Sequence, residues 1–332
     1  MQNAGPSGER VLVTGAGGFI GSHLVEALVA RGHRVRALVR YNGRGDTGML
    51  ALVPKEVRDA VEVLRGDVTD PYFVRRSVEG CATVFHLAAL IAIPYSYEAP
   101  RAVFDTNVMG TLHVAEACTA TGAAMVHTST SEVYGSAQTV PIAETHPLVG
   151  QSPYAASKIG ADQCVRRFRR SFSLRAVTVR PFNTYGPRQS ARAIIPTVIT
   201  QALANGSVKL GTLAPTRDLN YVGDTVAGFI AAADHVDRVD DQAINLGTGR
   251  EISVGDLAAM IFTRLGISPR IETDSARVRP AASEVERLVC DATRAKSLLG
   301  WSPKVTLEEG IDHTIAYVRA NMARYSPSEY LR

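Results

Sequence analysis

The run VLVTGAGGFIGSHL, residues 11–24, constrains this chain more than any other stretch. A β-prone segment is followed at once by glycines at 15, 18 and 21 and by the opening of a helix. Glycine in that context permits a tight turn and lets backbone N–H groups approach a pyrophosphate at the positive end of the helix. A strand, glycine turn and helix of this kind is the first half of a βαβ unit, so the rest of the chain should continue the alternation. It does. Short β-rich runs recur at 33–40, 61–68, 83–89, 124–131 and 174–182, separated by helix-length segments. The expected architecture is α/β: a parallel, doubly wound sheet of the Rossmann kind, with its site at the C-terminal ends of the strands.

At 332 residues, with 45% hydrophobic and 20% charged content, the chain can bury a large core. Residues 1–182 are expected to form the dinucleotide-binding domain. A returning segment near 218–250 includes AINLGTG as a late strand of the same sheet. From about 183 the texture changes, and 183–332 reads mainly as a smaller, non-contiguous lobe for substrate, with a helix at roughly 194–205. The first eight residues have neither a basic start nor an apolar run, and no stretch is long and apolar enough to span a bilayer. Cys81, Cys118, Cys164 and Cys290 lack metal-ligand spacing, so no metal site is expected. Reduced thiols in a cytoplasmic protein are the reading. Arg166, Arg167, Arg169 and Arg170 are read as a solvated helix face rather than a nucleic-acid patch. The mild net charge of +4 suits an anionic small substrate.

The cofactor residues follow from the pattern. Gly15, Gly18, Phe19, Ile20 and Gly21 form the turn, Asp67 and Val68 end the third β run, and Leu87, Ala88 and Ala89 of HLAA end the fourth. Asp67 could accept a bond from an adenine amino group, or be a plain turn residue at a strand end. An acidic residue for a ribose 2′-OH is expected at the end of the second strand. Arg40 stands there instead and could pair a 2′-phosphate, with Arg44 adding to it. NAD(P) is therefore the expected cofactor, with NADP favoured over NAD, although Arg40 could also stack on adenine or face solvent.

Tyr154 and Lys158, in SPYAASK, are spaced i, i+4 and fall on one face of a helix. The Lys158 ammonium beside the phenol would favour the phenolate, bringing a group of ordinary pKa about 10 towards the range of a general base. The pair points to hydride chemistry on an alcohol or ketone.

With the glycine turn, HLAA, HTSTSEVYG, Tyr154 with Lys158, RPFNTYGPR and the C-terminal RPAASEVERLVCDATRAKSLLGW in place, the chain resembles the extended short-chain dehydrogenase/reductase superfamily over nearly its whole length. Within it, the chain looks most like nucleotide-sugar 4,6-dehydratases, including those acting on nucleotide-linked N-acetylglucosamine. The resemblance implies a nucleoside-diphosphate sugar substrate and a tightly bound cofactor. It implies a homodimer paired through helices near 100–119 and 153–170, with Val103, Val108 and Leu112 on the apolar faces. Simple 4-epimerases are expected to lack a catalytic carboxylate at 130–132, whereas dTDP-glucose dehydratases carry Thr-Asp-Glu. This chain has Thr130-Ser131-Glu132, a triplet also similar to that of GDP-mannose 4,6-dehydratases, while UDP-glucuronate decarboxylases can show Ser-Glu there. By resemblance Tyr154 takes the C4 hydroxyl proton with Thr130 on the same oxygen, and Glu132 works at C5. Ser131 stands where an acid for the departing 6-hydroxyl would be. Asn183, Arg192, Arg217 and Arg279 are implied as substrate ligands. Ile93, Pro94 and Tyr95 could line the sugar pocket, with aromatic packing preferred for Tyr95 and Tyr97. An NDP-sugar 4-epimerase, a UDP-glucuronate decarboxylase and a non-catalytic dinucleotide-binding regulator remain the alternatives.

Overall fold

A computed structural model describes residues 8–274 and 285–325. The first part of the chain alternates strand and helix: β1 (Arg10–Thr14), α1 (Phe19–Ala30), β2 (Arg34–Arg40), α2 (Lys55–Asp59), β3 (Glu62–Gly66), α3 (Pro71–Val78), β4 (Thr83–His86). It continues through α4 (Ile93–Glu98), α5 (Pro100–Phe104), α6 (Gly110–Thr121), β5 (Ala124–Thr128), α7 (Pro153–Phe172) and β6 (Ala176–Pro181). Then come β7 (Asn183–Tyr185), α8 (Ile194–Asn205), β8 (Ser207–Leu210), β9 (Thr216–Arg217), β10 (Leu219–Tyr221), α9 (Val222–Asp234), β11 (Ile244–Leu246) and β12 (Ile252–Ser253). The last elements are α10 (Val254–Leu265), β13 (Arg270–Thr273), β14 (Arg287–Leu288), α11 (Thr293–Leu299) and α12 (Leu307–Ala320).

Seven strands form one sheet in the order β11-β6-β5-β4-β1-β2-β3, and every pairing in it is parallel. The order reverses between β1 and β4, the switch point at which an open α/β sheet leaves a crevice. Because both faces are covered, the strands read as unbroken apolar runs rather than alternating ones. Val11 and Val13 of β1 enter one core with Leu24, Val25 and Phe229, while Leu12 between them enters the other with Val84, Val114 and Met125. The late strand expected around AINLGTG is β11, placed beside β6.

A third core packs Ile195, Val198, Leu257, Ile261, Ile311 and Ile315 between α8, α10 and α12. A fourth cluster, including Tyr134, Phe182 and Leu288, packs residues from beyond β5 and β6 against β14. Among the described residues no helix is long and apolar enough to cross a membrane. The four cysteines are free thiols.

Two surface readings change. Arg166 and Arg170 pair with Asp241, and Arg169 donates to the carbonyls of Ala176 and Val239, so three of the four clustered arginines tie α7 to the loop before β11. Val103, expected on a dimer face, is fully buried within the chain, and Val108 packs over Gly160 of α7. Phe104 and Met109 are the exposed apolar side chains on that stretch.

Candidate active site

A cavity of about 650 Å³ opens over the C-terminal ends of the sheet. One end is made of backbone. Gly15 has φ +69°, and a Cβ there would lie 2.8 Å from the Ala88 nitrogen. A Cβ at Gly21 would lie 2.2 Å from the Gly15 carbonyl oxygen. These contacts bring β1, α1 and the segment after β4 too close for any side chain, and they leave the N-terminus of α1 facing the cavity with Gly18 as its cap. Phe19, Ile20, Val68, Leu87, Ala88 and Ala89 complete this wall.

Thr14 and His86 hold it in register. The Thr14 hydroxyl oxygen accepts from the Leu87 and Ala88 N–H groups at 3.1 Å, so its own proton goes to His86 Nδ1 at 2.9 Å. His86 Nε2 then carries the ring proton and donates to the Thr111 hydroxyl, which donates to the Asn107 carbonyl. Burial pushes the His86 imidazole well below its ordinary value, keeping it neutral as this chain of donors requires.

At the outer rim Arg40 and Asp67 both line the cavity, and they face each other at 3.4 Å. Asp67 Oδ1 also accepts from the Thr69 N–H and hydroxyl, which is the strand-end turn role. Arg44 is exposed, its backbone N–H bonded to Asn42.

The other end is made of side chains. Ser152 caps α7 by accepting from the Ala155 N–H, and Pro153 occupies the first turn. The helix then presents Tyr154 and Lys158, both buried, to the cavity. Beyond β5, Thr130 begins a short 3₁₀ turn over Ser131–Tyr134 by accepting from the Glu132 N–H at 3.2 Å. Thr130, Ser131 and Glu132 line the cavity with Tyr154 and Lys158.

The expected electrostatics differ. Lys158 Nζ donates to the Thr128 carbonyl at 2.5 Å. Burial, followed by the charges of Glu132 and Asp162, pushes the Tyr154 phenol above its ordinary value, and the hydrogen bond with Thr130 pulls the other way. The phenol is thus not lowered by Lys158 as the spacing suggested. Burial lowers the Lys158 amine itself to about 8, with Asp162 opposing.

Of the implied substrate ligands, Asn183 lines the cavity, and its Nδ2 is a buried donor without a partner among the described residues. Arg192 is exposed and Arg217 lies on β9; neither reaches the cavity wall, and Arg279 lies outside the described residues. Ile93 lines the cavity and Pro94 does not. Tyr95 and Tyr97 are 40% and 43% exposed, so the packing preferred for them is not found.

Three residues that sequence reasoning passed over belong here. Asn107 sits in a π turn at Asp105–Met109, bonds both the N–H and carbonyl of Leu90, and donates to Ser157 Oγ, whose hydroxyl donates to the Tyr154 carbonyl. A one-residue bulge of this kind breaks the 3.6 period and leaves no regular signal. Thr128 and Gln189 line the cavity, and the Thr128 hydroxyl and Gln189 Oε1 are buried with no hydrogen-bond partner among the described residues. Gln189 Nε2 donates to the Thr184 carbonyl, which fixes the amide orientation and aims Oε1 the other way.

The glycine cradle fits a pyrophosphate, and the unpartnered groups at the far end fit a polar substrate; buried polar groups are ordinarily bonded. The comparisons agree. The profile of the family described as GDP-mannose 4,6 dehydratase matches residues 12–314. A UDP-glucose 4-epimerase of Mycolicibacterium smegmatis is 35% identical over 318 residues, 93% of this chain and 98% of the relative. A UDP-glucuronic acid decarboxylase 1 of Xenopus tropicalis is 29% identical over 332 residues, 97% of this chain and 75% of the relative. The crystal structure of DesIV, a dTDP-glucose 4,6-dehydratase of Streptomyces venezuelae with NAD and TYD bound, superposes with a TM-score of 0.85 at 29% identity, covering 96% of this chain and all of that one. The chain belongs to the GDP-mannose 4,6-dehydratase family, within the extended short-chain dehydrogenase/reductase group of nucleotide-sugar dehydratases, epimerases and decarboxylases.

Proposed function

We propose that the protein is a nucleotide-sugar 4,6-dehydratase, converting an NDP-hexose to its 4-keto-6-deoxy form. The observation that carries this reading is Glu132, a carboxylate on the same cavity wall as Tyr154 and Thr130 and close enough to raise the phenol. Oxidation at C4 needs one base, and Tyr154 with Thr130 can serve that hydroxyl. Removal of H5, made acidic by a 4-ketone, needs a second base, and Glu132 supplies it. Ser131 is a buried hydroxyl rather than an acid, so the proton for the departing 6-hydroxyl falls to Glu132 after it has taken H5.

A nicotinamide dinucleotide bound over the glycine turn would supply the hydride acceptor for C4 and the donor for C6. Gly15, Gly18 and Gly21 would hold its pyrophosphate, and Lys158 and Tyr154 would border its reactive ring. NAD(P) is the cofactor class. Arg40 is the group that would meet a 2′-phosphate, at the expense of its pairing with Asp67. Asn183 and Gln189 face the substrate, and residues from 183 onward form most of its lobe.

Purified protein incubated with dTDP-glucose, GDP-mannose and UDP-N-acetylglucosamine should release water from one of them without net consumption of coenzyme, as read by mass spectrometry and absorbance. The second reading is a 4-epimerase, favoured by the 35% identity to the mycobacterial epimerase. An isomeric product of unchanged mass would replace the dehydratase with it.

A further inference from the structure

The inward face of α7 carries a third ionisable group. Asp162 follows Tyr154 and Lys158 by one more turn, and side chains at i, i+4 and i+8 share a helix face. Its carboxylate is 4% exposed and lies beyond Lys158. Ser129 Oγ donates to Oδ2 at 2.8 Å, and His127 Nε2 stands 3.2 Å from Oδ1. Arg180 donates to Oδ2 from Nε at 3.2 Å and from Nη2 at 2.9 Å. The remaining arm of Arg180 donates to the Tyr134 hydroxyl at 2.9 Å, and Tyr134 donates to Asn245 at 2.7 Å. The clamp therefore joins the helix bearing Tyr154 and Lys158 to the turn bearing Glu132.

Burial alone would raise the Asp162 carboxyl, but the bond from His127 and the charge of Arg180 outweigh it and hold it at about 2. A buried ion pair of this kind is a weak source of stability compared with apolar packing. Stability alone is a poor reason to keep one here.

We propose that Asp162 is a positioning residue for the hydride chemistry: its carboxylate, clamped by Ser129, His127 and Arg180 one turn beyond Lys158 on the same face of α7, is the fixed counter-charge of the Lys158 ammonium. The inference rests on the reading of Tyr154 and Lys158 as the catalytic pair.

The other groups around Lys158 do not replace it. His127 on β5 and His86 on β4 are kept neutral by burial. Tyr154 on the same helix stays a phenol, Arg180 on β6 is a second cation, and Glu132 stands at the end of β5 on the cavity wall. Asp162 is the anion whose field opposes the loss of the Lys158 proton. Removing its charge makes the ammonium easier to deprotonate, so the alkaline edge of turnover should move to lower pH.

The test is kcat against pH for the cofactor-loaded parent, Asp162→Asn, the double variant Asp162→Asn with Arg180→Gln, and Tyr154→Phe. Asp162→Asn alone leaves Arg180 buried without its partner and could fail to fold, whereas the double variant removes both charges together. In Asp162→Asn the alkaline edge should fall by about one to two pH units, and in the double variant, where the repelling charge of Arg180 goes as well, it should still fall but by less. A folded variant that loses thermal stability while keeping the parent's edge would overturn the proposal, leaving Asp162 a structural residue. If Tyr154→Phe kept full turnover, the catalytic reading would fall and this proposal with it; an inactive Tyr154→Phe beside an unmoved edge defeats the positioning role alone.

Discussion

The two ends of the cavity are built from different parts of the polypeptide. At the glycine end the working surface is backbone. Gly15 and Gly21 exclude any Cβ, Thr14 and His86 order two N–H groups, and the side chains at the rim, Arg40 and Asp67, are largely or partly exposed. At the catalytic end the working surface is side chain. Tyr154, Lys158 and Ser131 are buried, and their neighbours are set by hydrogen bonds reaching across 30 or more positions in sequence. A backbone site should be indifferent to side-chain chemistry and intolerant of added volume; a side-chain site should show the reverse.

Tyr154→Phe probes the second half of that contrast and should have the largest effect. It removes one oxygen and leaves the shape, so turnover should fall by about two to four powers of ten while retained dinucleotide and melting temperature hardly move. A loss of dinucleotide in proportion to activity would blur the two ends into one.

Gly21→Ala probes the first half. Its Cβ would sit 2.2 Å from the Gly15 carbonyl oxygen, with backbone rather than a flexible side chain in the way. Overpacking of this kind costs roughly 1–3 kcal/mol, so the melting temperature should drop and the purified protein should carry less dinucleotide. An unchanged melting curve with full dinucleotide content would show that the turn can open.

Arg40→Asp should have the smallest effect on the fold. The guanidinium side chain is 75% exposed, and its pairing with Asp67 is worth under about 1 kcal/mol. The expected change is in cofactor preference, away from NADP and towards NAD in a binding titration. An unchanged ratio would remove Arg40 from the 2′-phosphate site.

The same contrast explains what could be read from sequence. The glycine turn is local: strand, turn and helix lie within 14 residues, and the backbone demand shows directly as glycine. The strand alternation and the i, i+4 pair of Tyr154 and Lys158 are local too, and the seven-stranded sheet and α7 carry them as expected. Asn107, Gln189 and the Asp162 clamp were not legible. Asn107 meets Leu90 and Ser157, and Asp162 meets His127, Ser129 and Arg180, only after the sheet and α7 have assembled; Gln189 bonds Thr184 five residues away, but that spacing carries no sign that the amide faces a cavity. Burial also reversed the sign of the Tyr154 expectation, because a helical spacing says which side chains are neighbours but not how much water is left around them. Arg192 and Arg217, implied by the family resemblance, do not line the cavity.

The central claim is that Glu132 is a base distinct from Tyr154. Glu132→Gln keeps the shape and deletes the carboxylate. In deuterated water, with the sugar nucleotide that the parent dehydrates, the account predicts that this variant still binds substrate and still reduces its cofactor at C4, yet incorporates no deuterium at C5 and releases no water. Dehydration and C5 exchange at near the parent rate would contradict it.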